Sequence, residues 1–276
     1  MRLFFTGLET LHCGKSKSET GRARLVMPQK PEAGIKAERS SLPSPSVVAC
    51  GDQWLMVDWH EHPKANQAAR SLAGHLRREP QPFAAEAVAG VRTMALRLAE
   101  TQRTQSFQQR ASLREQAQQW LLDKASEALS WPALEGRLQL LQACYETPLA
   151  PDLASVAERT GLELQTVIRL HLESDFVAEL IGFMPGFAYL GGLHPALRLP
   201  RRDSPRHKVS EGSIAIAGDQ SAVYPSSTPG GWHLIGCCPE RLFRPRQDPP
   251  ALIQEGDRVR FERIDLEAFE KLWSQR

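Results

Sequence analysis

The sequence predicts an α+β protein, with a small N-terminal α/β domain followed by a β-barrel domain. Between Val47 and about residue 140, strand-like alternation trades places with apolar residues at i, i+4 spacing, the order strand, helix, strand, helix. Beyond Asp175, short apolar runs separated by Pro/Gly turns recur about every ten residues, the spacing of a closed or nearly closed barrel. The length of 276 residues and the 41% apolar content allow two cores of this kind.

Residues 1–45 read as a disordered or loosely packed leader. Eight Lys/Arg stand there against four Glu, and "SSLPSPS" closes the segment as a linker would. The opening "MRLFFTGLETLHCGKSKS" breaks its apolar stretch at Glu9 and His12 and lacks a small-residue cleavage site, so it is not read as a signal peptide. Residues 46–140 form the small domain. "VVACGDQWLMVDW" gives two strands around Gly51-Asp52, and "KANQAARSLAGHLRR" a helix carried by Ala68, Leu72 and Leu76. "AGVRTMALRLAE" gives a strand, and "ASLREQAQQWLLDKASEAL" a second helix.

Residues 141–265 form the barrel domain, entered through two short helices. Asp152 is the expected N-cap of "LASVAERT" and Gly161 its stop; "LELQTVIRLHLES" follows with one apolar face. The runs "FVAELIGF", "SIAIAG", "AVYP", "WHLIG", "RLFRP" and "DRVRFERI" are the expected strands. Residues 266–276 form a last helix capped by Asp265.

A net charge of +2 points to neither a nucleic-acid nor a membrane partner, and no run approaches the roughly 18 apolar residues of a membrane span. Five cysteines without a CxxC fit reduced thiols in a cytoplasmic protein. "LASVAERTGLELQTVIRLH" has helix-turn-helix spacing, but its second helix offers phosphates only Arg169, between Glu163 and Glu173. Neither GxxxxGK[ST] nor GxGxxG occurs, and Ser213 is in no GxSxG elbow. Asp58, His60 and His62 share one strand face, a weak metal signal without a distant third ligand that reads rather as an exposed strand end, and His171, on an apolar helix face, reads as a core histidine.

The chemistry concentrates in three stretches. "GFMPGFAYLGG" sets Pro185-Gly186 in a type II turn, since proline presets the first central φ and glycine supplies the positive second one. Phe183, Phe187 and Tyr189 flank it. "TPGGW" is expected to repeat the turn at Pro229-Gly230, with Gly231 leading into Trp232; the two turns either open glycine N–H groups to an anion or are hairpin corners whose aromatics plug the barrel end. Between them "LRLPRRDSPRHKV" is an extended, proline-stiffened basic strip. Arg201 and Arg206 are its expected pocket arginines, and Arg202 and Lys208 its solvated ones. Gln220 and Tyr224 offer an amide and a phenol, either to a polar substrate or as buried hydrogen-bonding groups of the barrel. Turns and strip are expected to close around one hollow at an end of the barrel. No catalytic residue and no metal ligand is assigned.

From Tyr145 to about Ile264 the chain resembles the KipI family, whose members are also called the B subunit of 5-oxoprolinase or allophanate hydrolase subunit 1. The resemblance rests on "YETPLAPDLASVAERTGL", "GFMPGFAYLGGL", "PRRDSPRHKVSEGSIAIAGDQSAVYP", "TPGGWHLIG", "RLF" and "GDRVRF", in the family's order. It implies a cyclophilin-like barrel and a subunit of an ATP-dependent hydrolase that opens the lactam 5-oxoproline to glutamate. The implied partners are a carboxyltransferase-like subunit (the C subunit of 5-oxoprolinase, KipA type) and a LamB/YcsF-type subunit, with ATP bound by a partner or at the interface. It also implies an alternative, a regulator that binds and inhibits a histidine kinase without catalysis of its own. The chain departs from the family pattern at Ser210, Ser221 and Ala222, at Cys237-Cys238 where the family has Arg-Thr, and at Arg244 where it has aspartate.

Overall fold

The computed structural model describes residues 43–99, 107–133 and 136–276. All of the expected leader but its last three residues lies outside them.

The first sheet is built from β1 (Ser46–Cys50), β2 (Trp54–Asp58), β3 (Ala84–Ala89) and β4 (Thr93–Leu98), antiparallel in the order β1-β2-β4-β3. Gly51, at φ 68°, closes the β1–β2 hairpin in the left-handed region that glycine enters without strain. Alternation turns Leu55, Val57, Met94 and Leu96 to one face. There they meet Ala68 and Leu72 of α1 (Ala65–Arg78) and Ala117 and Leu121 of α2 (Phe107–Ala128). The Trp59 indole N–H donates to the Ala125 carbonyl at 2.9 Å, which satisfies its one polar atom inside that core. Strand β3 has no counterpart in the sequence reading. "AAEAVA" holds a single β-branched residue, and its extended form comes from pairing with β4, Ala87 opposite Leu96 and Ala89 opposite Met94.

The second sheet has seven strands in the order β12-β9-β10-β7-β6-β13-β5. In chain order they are β5 (Leu138–Ala143), β6 (Phe176–Ile181), β7 (Ala188–Gly191), β9 (Ser213–Ala217), β10 (Gln220–Val223), β12 (His233–Cys237) and β13 (Arg258–Arg263). A separate ribbon pairs β8 (Arg206–Val209) with β11 (Thr228–Gly230). Neighbours in the large sheet run antiparallel except β13 and β5. Its two ends meet at a seam: Cys144 and Cys237 exchange both backbone hydrogen bonds, each 2.9 Å. Gly236 makes this approach possible, because a Cβ there would stand 2.8 Å from the Cys144 carbonyl. The expected nearly closed barrel is therefore present. "RLFRP" is not one of its strands; it makes only a bridge between Phe243 and Ala251, next to a run broken by Pro245, Pro249 and Pro250.

Inside the barrel, Leu190, Ile214, Ile216, Ile235 and Phe261 pack against Val156 of α3 (Leu153–Thr160) and Ile168 of α4 (Leu164–Leu172). Gly161 ends α3 in the left-handed conformation, as its sequence position predicts. The exposed side of α4 neutralises itself through an Arg169–Glu173 pair at 2.7 Å. The last helix, α5 (Leu266–Ser274), starts at Asp265, whose carboxylate accepts the Ala268 N–H at 2.8 Å. Among the described residues no helix is long and apolar enough to cross a membrane.

His171 is fully buried and fully partnered. Ser221 Oγ donates to the Ala215 carbonyl at 3.1 Å, so it accepts from His171 Nε2 at 3.1 Å, and Nδ1 then accepts the Tyr145 hydroxyl at 2.8 Å. Burial drives the imidazole from its ordinary 6.5 down to about 3, so the ring is neutral. As pH falls below 6.5 the unfolded chain binds a proton that the folded chain refuses. Stability is therefore intact above 6.5 and drains away toward pH 3, at up to about 1.4 kcal/mol per pH unit. Chemical denaturation of wild type and His171→Gln should show a stability difference that changes with pH in this window. A difference independent of pH would contradict the assignment.

Candidate functional site

Alternation along the barrel strands separates two faces. Ile214, Ile216, Ala188, Leu190 and Val223 turn inward, whereas Ala215, Ala217, Tyr189 and Ala222 turn outward. The outward alanines leave a shallow floor, and the aromatic residues singled out in the sequence assemble over it. Phe187, 2% exposed, is the hub. Its ring centroid lies 5.3 Å from Phe183, 4.9 Å from Tyr189, 5.4 Å from Tyr224 and 6.1 Å from Trp232, all edge to face. Val209 of the ribbon and Leu234 complete the cluster. The expected convergence of Phe187 and Trp232 is present, but on the outer face of the sheet and not in a hollow at the barrel end. The barrel interior is filled by its own apolar core, aliphatic residues together with Tyr145, Phe176 and Phe261.

The two Pro-Gly turns differ. Gly186 has φ 82° and the Phe187 N–H donates to the Met184 carbonyl at 3.0 Å, as a type II turn requires. A Cβ on Gly186 would stand 2.7 Å from Phe243, so this glycine packs against a neighbouring loop. Pro229-Gly230 is not a turn. Thr228–Gly230 is strand β11, where proline is tolerated on the edge of a two-stranded ribbon and Gly230 leaves space for the Tyr224 hydroxyl, 2.5 Å from where a Cβ would lie. Gly231 accepts the Arg202 N–H at 2.8 Å through its carbonyl. Phe183 is the unexpected feature. It is a non-glycine residue at φ 69°, and the residue is 61% exposed. That is backbone strain spent on presenting an aromatic to solvent.

The basic strip is tied down at several points. Leu199 accepts the Gly218 N–H at 2.7 Å, and His233 Nε2 donates to the Pro200 carbonyl at 2.9 Å. Asp152 then gathers two guanidiniums. Its Oδ1 accepts from Arg206 at 2.6 Å and Arg202 at 3.0 Å, while Oδ2 accepts the Leu234 N–H at 2.7 Å. Burial raises the Asp152 pKa, but the hydrogen bonds from Arg206 and Leu234 and the charges of Arg206 and Arg202 outweigh it and hold the carboxyl below its ordinary value. This corrects two sequence expectations. Asp152 makes no side-chain cap on α3, because its oxygens are engaged elsewhere. Arg202, expected in solvent, is the partner of Arg206, and Arg201 is the exposed one. Arg201 still acts on the cluster: burial raises the Tyr224 phenol pKa, and the Arg201 charge offsets part of that rise.

Gln220 stands at the other end of β10 from Tyr224. Its amide donates to Glu179 Oε2 at 3.2 Å, and a Cβ on Gly191 would collide with that carboxylate. Burial raises the Glu179 pKa, eased by the Gln220 hydrogen bond and pushed further by Asp219. Glu179 has no motif around it and could have been found only from its pairing across β6 and β7. Asp58 and His60 meet at 3.6 Å in the turn after β2, and His62 Nδ1 accepts the Lys64 N–H, so the three do not converge. Among the described residues no group of His, Cys, Asp and Glu is placed to hold a metal ion.

The carboxyltransferase domain, subdomain C and D, family matches residues 45–253, and the chain belongs to that family. It is 45% identical over 128 residues to the 5-oxoprolinase B subunit of Bacillus subtilis (strain 168), covering 46% of this chain and 53% of that protein. The match thus spans about half the length of that relative. The crystal structure of TTHA0988 is similar with a TM-score of 0.61 and 33% identity, over 77% of this chain and 40% of that one. The Kluyveromyces lactis urea carboxylase gives a TM-score of 0.64 over 90% of this chain and 24% of its own, and its 16% identity makes this a likeness of fold.

Asp152→Asn should leave two half-buried guanidiniums without a counter-charge and cost about 2–4 kcal/mol. Urea unfolding would register this as a lower midpoint at unchanged slope. A loss below about 0.5 kcal/mol, the range of neutral surface changes, would show that the tie carries little.

Proposed function

We propose that this chain is a subunit of an ATP-dependent 5-oxoprolinase-type hydrolase, and that the outer face around Phe187 binds the lactam as one half of a site completed by a partner subunit. The observation that carries the reading is Phe183. A strained, exposed aromatic beside a buried aromatic hub is costly to the isolated subunit and useful to one that closes against another surface. Identity to the 5-oxoprolinase B subunit supplies the reaction class.

Lactam opening is unfavourable without activation, and ATP supplies that activation as co-substrate. Neither GxxxxGK[ST] nor GxGxxG occurs in this sequence, which favours ATP binding by the carboxyltransferase-like or the LamB/YcsF-type partner or at an interface with one. This chain contributes orientation. Arg201 receives the substrate carboxylate, Tyr189 and Phe183 cover the ring, and the Gln220–Glu179 pair reads the lactam amide. The aromatic cluster excludes water from that side of the site.

The test is purification of the chain with the companion 5-oxoprolinase subunits and assay with 5-oxoproline and ATP. Turnover is expected from the assembly and none from the isolated chain. Phe183→Gly should keep or slightly raise the melting temperature, since glycine relieves the positive φ, while lowering turnover by roughly tenfold or more. Turnover by the chain alone would contradict the proposal. So would a chain that joins no companion subunit and binds a histidine-kinase domain.

A further inference from the structure

A cavity of about 440 Å³ shares no lining residue with the outer-face cluster. Its walls come from Gln142 on β5, the loop from Pro239 to Gln247, and the end of α5 with Gln275 and Arg276. Small-molecule sites span about 300–1,000 Å³, so the volume suits a small metabolite.

The charge in the walls is unbalanced. Arg241, Arg244 and Arg276 line it beside one carboxylate, Glu240, and since Arg276 is paired with Glu211 the excess positive charge is that of Arg241 and Arg244. Glu240 keeps its charge but is turned into the fold, where Oε1 accepts the Gln142 N–H at 3.0 Å and Oε2 the Cys238 thiol at 2.8 Å. Arg276 is held in place. It pairs with Glu211 at 2.7 Å, donates to the Glu240 carbonyl at 2.9 Å, and lies 3.9 Å over the Trp273 ring. Its side chain is 10% exposed, and its Nε is buried with no hydrogen-bond partner. Arg244 touches Gln247 at 3.4 Å, and among the described residues neither it nor Arg241 has a carboxylate within ion-pair distance.

We propose that this cavity binds a small metabolite through a carboxylate or phosphate group seated among Arg241, Arg244 and Arg276. Guanidinium forks match both oxyanions in geometry and charge, and Gln142, Gln247 and Gln275 supply neutral polar groups around them. Leu272 and Pro239 give the remainder of the ligand an apolar wall.

Calorimetric titration of the full chain with inorganic phosphate, pyrophosphate, ATP and glutarate tests this, and the probe that binds identifies the source of the oxyanion. Saturable one-to-one binding of at least one probe is expected. Arg241→Gln/Arg244→Gln should weaken it by about tenfold or more, the loss of about 1.4 kcal/mol. Arg78→Gln/Arg159→Gln removes the same charge from exposed positions outside the cavity lining and should leave affinity within about twofold, the range of screened surface charge. If no probe binds saturably, or if the two double variants weaken binding equally, the proposal is wrong.

Discussion

The outer face of this protein depends on one carboxylate. Asp152 sits at the mouth of α3, yet its oxygens serve residues 50, 54 and 82 positions further along the chain. One oxygen holds the two guanidiniums of the basic strip; the other holds the edge of β12. Because the acid is buried and each arginine is half-buried, water competes weakly and the attraction is far stronger than that of a surface pair. The strip is thereby pinned to the barrel, and the β8–β11 ribbon that continues from it lies over the outward alanines.

That ribbon answers a packing problem set by the strands. Ala215, Ala217 and Ala222 leave the sheet's outer surface shallow, so Phe187 and Trp232 need a second layer to be buried. Val209 and Tyr224 provide it, and Gly230 makes room for the Tyr224 ring. The same arrangement leaves Phe183, Tyr189 and Arg201 at the margin of the cluster. A partner surface would reach them there, whereas the barrel interior is closed by the Cys144–Cys237 seam. Burial raises both seam thiols, Cys237 to about 12, so they stay protonated and unreactive near neutral pH.

Local chemistry was legible wherever a residue's conformation is decided by its near neighbours. The Asp265 cap, the Gly161 stop, the Pro185-Gly186 turn and the amphipathic α1 all follow from spacing and φ preference alone. Partners distant in sequence were not legible. Asp152 carries the same pattern as an ordinary N-cap, and only the fold brings it the arginines of the strip. Arg201 and Arg202 are adjacent and chemically identical, so composition could not say which turns inward. Pro229-Gly230 has the letters of a turn, but pairing with β8 straightens it. Strands β3 and β5 are rich in Ala, Leu and Gln, whose intrinsic preference is helical, and ladder pairing overrides that preference.

Hydrogen exchange on wild type and Asp152→Asn, followed amide by amide, tests the role given to this carboxylate most directly. If Asp152 holds the ribbon over the outer face, the amides of Val209, Thr228 and Gly230 should exchange about tenfold faster or more in the variant, while those of the inward core at Ile214, Ile216 and Leu190 keep their protection. Equal acceleration across the barrel, or none in the ribbon, would contradict it.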